Sequence, residues 1–337
     1  MQENMCYDIR RGINMIEGKN IKISIILVSY NEKQYLIDAL ESCIKQNIEC
    51  NYEIIIGDDG SDDGSIDIIK EYKSRYPELI KYFIMDREHM EINSVIPSIR
   101  VSNIIKKGFS IAEGEYAMVL SADDVISENK LRIQSEYLEK NTDKIGCFCP
   151  FKMFWDNGES NKCKVINASN KVLWSTKYIH ISCFLFRYRN INLLDRFCDD
   201  TGMYYSIIKS GSVGCINKVM FKYRQRDNSI MHNMDKLQLD IVEILLFQDI
   251  LNSKEYKKRD KIRFARPLLR LLKNRKDIGN PLYEKYRINS SLYSNDILNM
   301  IYNYDNMEFS KKLHILSLVF FSNLGFFYFK FKEKLHE

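Results

Sequence analysis

The chain is poor in the residues that punctuate loops and linkers: its 337 residues include only 14 Gly and 5 Pro. That excludes a collagen-like repeat and a long low-complexity linker. No stretch reaches the roughly 20 consecutive apolar residues that a membrane-spanning helix needs. Nine cysteines make an odd count with no C-x-x-C pair, so reduced thiols in a cytoplasmic protein are expected rather than a disulfide framework. Cys147 and Cys149 are expected on one face of a strand, not in a zinc site. The first twenty residues mix Glu3, Asp8, Arg10, Arg11, Glu17 and Lys19, a pattern that predicts no secretory signal.

What is present is core material. Hydrophobic residues make up 45% of the chain, charged residues 28%, and there are 18 Phe and 21 Tyr. Such a composition folds, as one large domain or two ordinary ones. The net charge of +5 is unevenly placed: residues 241–337 hold 18 basic and 11 acidic side chains, the remainder 32 and 34. A near-neutral body with a basic tail points to an anionic partner for the tail.

From Ile21 onward, apolar β-branched runs alternate with segments of helical periodicity. Strands are predicted at 21–28, 52–57, 80–84 and 115–120, with helices near 33–47, 65–75, 96–112 and 127–140. This alternation predicts right-handed βαβ units, a mostly parallel sheet and helices on both faces. Strand-like runs at 145–155, 178–187 and 213–223 follow, with a short helix at 201–209. Beyond 235 the signals are helical. The expected organisation is an extension at 1–20, a catalytic domain at 21–235 divided near 125, and a helical basic region at 236–337.

Three polar clusters interrupt this pattern: Ser29-Tyr30-Asn31-Glu32, the acidic run 58–65, and Ser121-Ala122-Asp123-Asp124. Each follows a predicted strand, and ligands of open α/β sheets bind beyond strand carboxyl ends. The clusters are therefore expected to converge. The run 58–65 resembles a calcium loop until its twelfth position, which is Lys70 where a bidentate Glu is required. As a local feature it is also a helix cap. Asp123-Asp124 has two local readings, a helix cap or hard oxygen ligands for Mg²⁺ or Mn²⁺.

Taken together, V-S-Y-N-E, D-D-G-S-x-D-G-S and G-E-Y-x-x-x-L-S-A-D-D resemble glycosyltransferase family 2 over about residues 21–230. The resemblance implies a GT-A fold and inverting transfer from a nucleoside-diphosphate sugar, with a UDP-sugar as the expected donor. It implies that Ser29, Tyr30, Glu32 and Asp59 hold the nucleoside side of the donor, that Asp123 contacts ribose and sugar, and that Asp124 ligates a divalent cation, Mn²⁺ or Mg²⁺. The segment F-C-D-D-T-G-M-Y-Y resembles the family's E-D segment, which makes Asp200 the candidate base, with Asp199 in place of Glu. Its local alternative is a helix cap. Tyr223-Arg224-Gln225-Arg226 resembles the segment closing over the donor phosphates, with Arg226 where His is usual. Lys106 stands where many relatives have Asn. The absence of Q-x-x-R-W favours addition of a single sugar.

The implied acceptor is a saccharide or lipid-linked saccharide in bacterial surface polysaccharide synthesis, and no nucleic acid is expected as partner. In the tail, residues 257–276 carry ten basic side chains and one acidic, and Leu313–Phe329 is apolar at 12 of 17 positions. Either these helices pack on the catalytic domain or they lie on an anionic leaflet at the inner face of the cytoplasmic membrane. Two rival functions share some of these features. A nucleotidyltransferase would carry a Gly-rich loop after the first strand, and Ser29–Glu32 has no glycine. A non-enzymatic membrane or nucleic-acid binder would have no use for Asp124.

Overall fold

Buried β-branched runs become the centre of a seven-stranded sheet. The computed structural model describes residues 5–8, 13–16, 22–86, 97–156, 165–166, 180–191 and 200–226. All lie in the first of two compact units, 1–232. The expected tail helices at 257–276 and 313–329 lie outside the described residues, as does the reading of 236–337 as helical.

In chain order the elements are β1 (Met5–Asp8), β2 (Ile13–Ile16), β3 (Ile23–Ser29), α1 (Leu36–Ile44), β4 (Tyr52–Asp58), α2 (Ser65–Arg75), β5 (Ile80–Ile84), α3 (Pro97–Ile111) and β6 (Tyr116–Ser121). They continue with β7 (Val125–Ile126), α4 (Lys130–Lys140), β8 (Lys144–Phe148), β9 (Phe151–Trp155), β10 (Val165–Ile166), β11 (Phe184–Phe186), α5 (Asp200–Ser210), β12 (Ser212–Cys215) and β13 (Phe221–Gln225). The large sheet has the order β12-β8-β11-β6-β3-β4-β5. Strands β5, β4, β3 and β6 are mutually parallel, whereas β11 runs antiparallel to both β6 and β8. Every residue of β4 is buried, so its centre, Ile54–Ile56, is apolar without alternation, while the buried Glu53 is held by Ser24 and Lys81.

Register sets the site. Ser29 lies opposite Asp58 on one side of β3, and Val28 lies opposite Ser121 on the other. The three polar clusters therefore leave the sheet along the same edge, as their positions after strands predict. Helix α3 lies against β3 and β4. Gly57 permits this approach: a Cβ there would stand 2.3 Å from Ile104 Cγ2 and 2.7 Å from Phe83 Cζ. A larger residue would push α3 away from the end of β4.

Two expected strands are each divided. The run 145–155 breaks at Cys149-Pro150 into β8 and β9, and the run 213–223 breaks into β12 and β13. Proline has no N–H for a ladder, so the chain leaves the large sheet there. Strands β9 and β13 join a second, four-stranded sheet of order β10-β9-β13-β7. Because β13 pairs antiparallel with β7, residues 224–226 come back alongside Asp123 and Asp124. Cys147 lies in β8 and Cys149 just past its end, both buried free thiols.

Candidate active site

The loops after β3 and β4 are sewn together by short polar side chains. Asn31 N–H donates to Ser61 Oγ at 2.8 Å, Glu32 N–H to Ser65 Oγ at 3.0 Å, and Lys33 N–H to Asp63 Oδ2 at 2.9 Å. Asn31 and Asp62 exchange two further bonds, at 2.9 and 3.0 Å. Asn31 has φ of 52°, a left-handed conformation that Asn tolerates better than most residues. Asp58 is fully buried and accepts both Ser61 N–H and Ser61 Oγ–H at 2.7 Å, so it holds the turn. Asp59, next along, is placed differently. Its N–H donates to Ser29 O at 2.9 Å, and its Oδ2 pairs with Arg100 Nε at 3.0 Å.

Arg100, at the start of α3, was not foreseen from sequence. Its guanidinium also lies over the Tyr30 ring, 5.2 Å from the centroid. No local pattern marks it, because it is a lone arginine beside a stretch, 87–96, with no readable periodicity. Tyr30, Asp59 and Arg100 together form an aromatic face beside a carboxylate–guanidinium edge. Ser29, whose carbonyl accepts the Asp59 N–H, is buried.

The second cluster gathers around the end of β6. Asp124 is fully buried; its Oδ1 accepts the Arg224 N–H at 2.9 Å, and its Oδ2 faces His180 Nε2 at 3.9 Å. His180 lies against Phe221 and Tyr223, and its Nδ1 accepts the Ser182 N–H. That bond leaves Nε2 as the protonated nitrogen of the neutral ring. Asp123 turns the other way and pairs with Arg226 Nη2 at 3.1 Å.

The two arginines, both expected at the donor phosphates, are placed unlike one another. Arg224 Nε donates to Asp123 O at 2.8 Å, Nη2 to Asp38 Oδ2 at 2.9 Å, and Nη1 to Asp156. The rings of Tyr35 and Phe154 lie 4.6 and 4.5 Å from its Cζ. Arg224 is a clamp joining β13 to α1, to the turn after β6 and to the end of β9. Arg226 instead bridges Glu32 and Asp123 through Nη2 and passes over Tyr35. Burial raises the Glu32 pKa from 4.5 to about 7; the negative charge of Asp123 adds to the shift, and Arg226 opposes it. Of the candidate bases, Asp200 is the first residue of α5, and neither its side chain nor Asp199 is among the described residues.

The residues fit a divalent cation poorly. Among the described residues, no three His, Cys, Asp or Glu side chains are grouped to share a metal ion. The Asp124 carboxylate, the expected ligand, is turned into the protein onto a backbone N–H. The Asp123 carboxylate is already on a guanidinium.

Residues 24–208 match the sequence model of glycosyl transferase family 2. The chain belongs to that family. A glycosyltransferase of Streptococcus pneumoniae, GlyG, is 26% identical over 247 residues, covering 66% of this chain and 77% of GlyG. An uncharacterized protein of Mycobacterium tuberculosis is 32% identical over 142 residues, 40% of this chain. The match spans only 37% of that mycobacterial relative's length. Among solved structures, residues 1–349 of TarS from S. aureus, in complex with UDP-GlcNAc, superpose with a TM-score of 0.52 and 17% identity, covering 83% of this chain and 81% of that one. The likeness to TarS shows a shared fold, the GT-A arrangement of family 2. Within this family 2 chain, no helix among the described residues is long and apolar enough to cross a membrane.

Proposed function

We propose that this family 2 glycosyltransferase moves a single sugar from a nucleoside-diphosphate sugar, a UDP-sugar in the first instance, to a hydroxyl of a saccharide or lipid-linked saccharide acceptor, with inversion. The observation that carries the reading is the convergence of two unlike clusters on one edge of the parallel sheet. One is flat and neutralised, Tyr30 with Asp59 and Arg100. The other is charged, Glu32, Asp123 and Arg226.

The first cluster suits a nucleobase. A uracil ring can stack on Tyr30, and its imide edge alternates carbonyl, N–H and carbonyl. The Asp59 carboxylate accepts from the N–H, and the Arg100 guanidinium donates to a carbonyl. The second cluster suits the diphosphate and the sugar. Arg226 meets leaving-group charge as the anomeric C–O bond lengthens, and Asp123 accepts from ribose or sugar hydroxyls. Asp200, at the N-terminus of α5, takes the proton of the acceptor hydroxyl as it attacks the anomeric carbon from the face opposite the diphosphate. One displacement of this kind inverts the centre, with no covalent intermediate.

A role in bacterial surface polysaccharide synthesis draws support from a 126-residue match, 32% identical, to poly(ribitol-phosphate) beta-glucosyltransferase of Bacillus spizizenii. That match covers 37% of this chain and 18% of the relative. The basic region at 236–337 would hold the enzyme peripherally on an anionic leaflet, close to a lipid-linked acceptor. The test is a screen of nucleotide sugars with the full chain, reading release of nucleoside diphosphate with and without saccharide acceptors. One uridine donor is expected to give acceptor-stimulated release. Asp59→Asn should weaken UDP binding by about thirtyfold, because the charge that holds Arg100 and strengthens the bond from the imide N–H is lost. No release from any donor would overturn the proposal.

A further inference from the structure

We infer that Arg226 supplies the positive charge that a divalent cation would otherwise bring to the donor diphosphate, so that this enzyme binds its nucleotide without a metal. The inference rests on reading the cleft as a nucleotide-sugar site. It starts from placement. The ends of β3 and β6 bring two acidic side chains, Glu32 and Asp123, into one small volume, and both are largely buried. Two such carboxylates require a counter-charge. The chain provides it itself: one nitrogen of Arg226, Nη2, pairs with both.

A dication seated on Asp123 would have to stand beside this guanidinium. Like charges in a site largely withdrawn from water repel strongly, so the two cations exclude one another. Asp124 offers no second ligand, because its carboxylate accepts the Arg224 N–H and faces His180. Arg224 does not stand in for Arg226 either. Its three nitrogens are engaged by Asp123 O, Asp156 and Asp38 between two aromatic rings. Of the two arginines on this strand end, Arg226 is the one whose carboxylate partners, Glu32 and Asp123, come from the loops after β3 and β6.

A guanidinium is well suited to the exchange. It is always charged and its planar fork matches a phosphate as it matches a carboxylate. When a diphosphate draws Arg226 away, Glu32 need not remain as a bare buried charge. Burial and Asp123 already raise its pKa to about 7 with Arg226 beside it, and departure of Arg226 further favours the protonated form. The remaining carboxylate, Asp123, then faces sugar hydroxyls.

The test is calorimetric titration of the full chain with UDP, in EDTA and then in Mn²⁺. Wild-type affinity is expected to agree within about twofold between the two conditions, whereas a metal-bridged diphosphate would differ by about tenfold or more. Arg226→Ala should lose about tenfold or more in both. Arg226→Lys, which keeps the charge without the fork, should lose less and guards against misfolding of the alanine variant. Arg226→His should make UDP binding respond to Mn²⁺. Wild-type binding that needs Mn²⁺, or Arg226→Ala binding as wild type does, would overturn the inference while leaving the glycosyltransferase reading intact. Absence of binding by every nucleoside diphosphate in both conditions would overturn the donor-site reading and this inference with it.

Discussion

The two ends of the cleft are held together by different forces. Between the loops after β3 and β4, the links are short hydrogen bonds from backbone N–H groups to Ser, Asn and Asp side chains. Between the end of β13 and the elements around it, the links are guanidinium–carboxylate pairs: Arg224 with Asp38 in α1 and Asp156 past β9, and Arg226 with Glu32 after β3 and Asp123 after β6. Above the carboxylate titration range, the loop hydrogen bonds depend little on salt or pH, whereas ion pairs respond to salt. The joint between the loops after β3 and β4 is thus built mainly as fixed geometry, and the joint around Arg224 and Arg226 as a balance of charge. The proposed reaction, in which a leaving group acquires charge, would draw on the second kind of support.

The largest effect that would break this contrast is at Arg224. The side chain is 6% exposed and joins three separate elements. Arg224→Ala should lower unfolding free energy by about 3 kcal/mol, measured by denaturant titration, because Asp123 O loses its donor and two rings lose their filling. Arg224→Lys should recover less than half, lacking the fork. A loss below about 0.5 kcal/mol would place Arg224 among ordinary surface pairs and remove the clamp from the comparison.

The next effect is a pH dependence between pH 5 and pH 8 that comes from Glu32, beside Arg226. Glu32 in the folded protein keeps its proton up to about pH 7, against a usual value of 4.5. Between those values the folded state holds more protons than the unfolded state, so this group's contribution to stability falls as pH rises from 4.5 to 7 and stays low above it. Glu32→Gln cannot ionise and removes that slope. Wild type should therefore lose about 2 kcal/mol more than Glu32→Gln between pH 5 and pH 8 in matched denaturation curves. Parallel pH profiles would show that Arg226 already compensates the charge in full.

The same division governs what the sequence discloses. The ends of β3, β4 and β6 are legible because the centre of a buried parallel strand is apolar on both faces, so Ser29, Asp58 and Ser121 stand out as the runs Ile25–Val28, Ile54–Gly57 and Ala117–Leu120 end. Helix α2 is legible from its periodicity and from Pro77 beyond it. Pro150 marks the strand break in the sequence, but that the two pieces belong to different sheets shows only in their pairing. Which way Asp123 and Asp124 point is set by the turn into β7 and the return of β13, a contact 100 residues away in sequence. Arg100, Asp38 and Asp156 have no local signature, since each acquires its role only from a partner on another element.

The smallest effect tests the hydrogen-bonded end. Asn31 adopts φ of 52° while its side chain exchanges two bonds with Asp62, in a part of the loop that is exposed. Two contributions are separable here. Alanine loses the side-chain bonds and also places a Cβ in the left-handed region, which costs about 1 kcal/mol. Glycine loses the same bonds and escapes that cost, at the expense of a more flexible unfolded chain. Asn31→Ala should therefore be less stable than wild type by about 1–1.5 kcal/mol, and Asn31→Gly by about 0.5 kcal/mol. Neither difference should change between low and high salt, because no net charge is altered, and UDP affinity should shift by less than about threefold. The same denaturation series run on Arg224→Ala should shrink as salt rises. If the Asn31 differences also shrink with salt, the loop is held by the charge of Asp62 rather than by hydrogen-bond geometry, and the two ends of the cleft obey one rule after all.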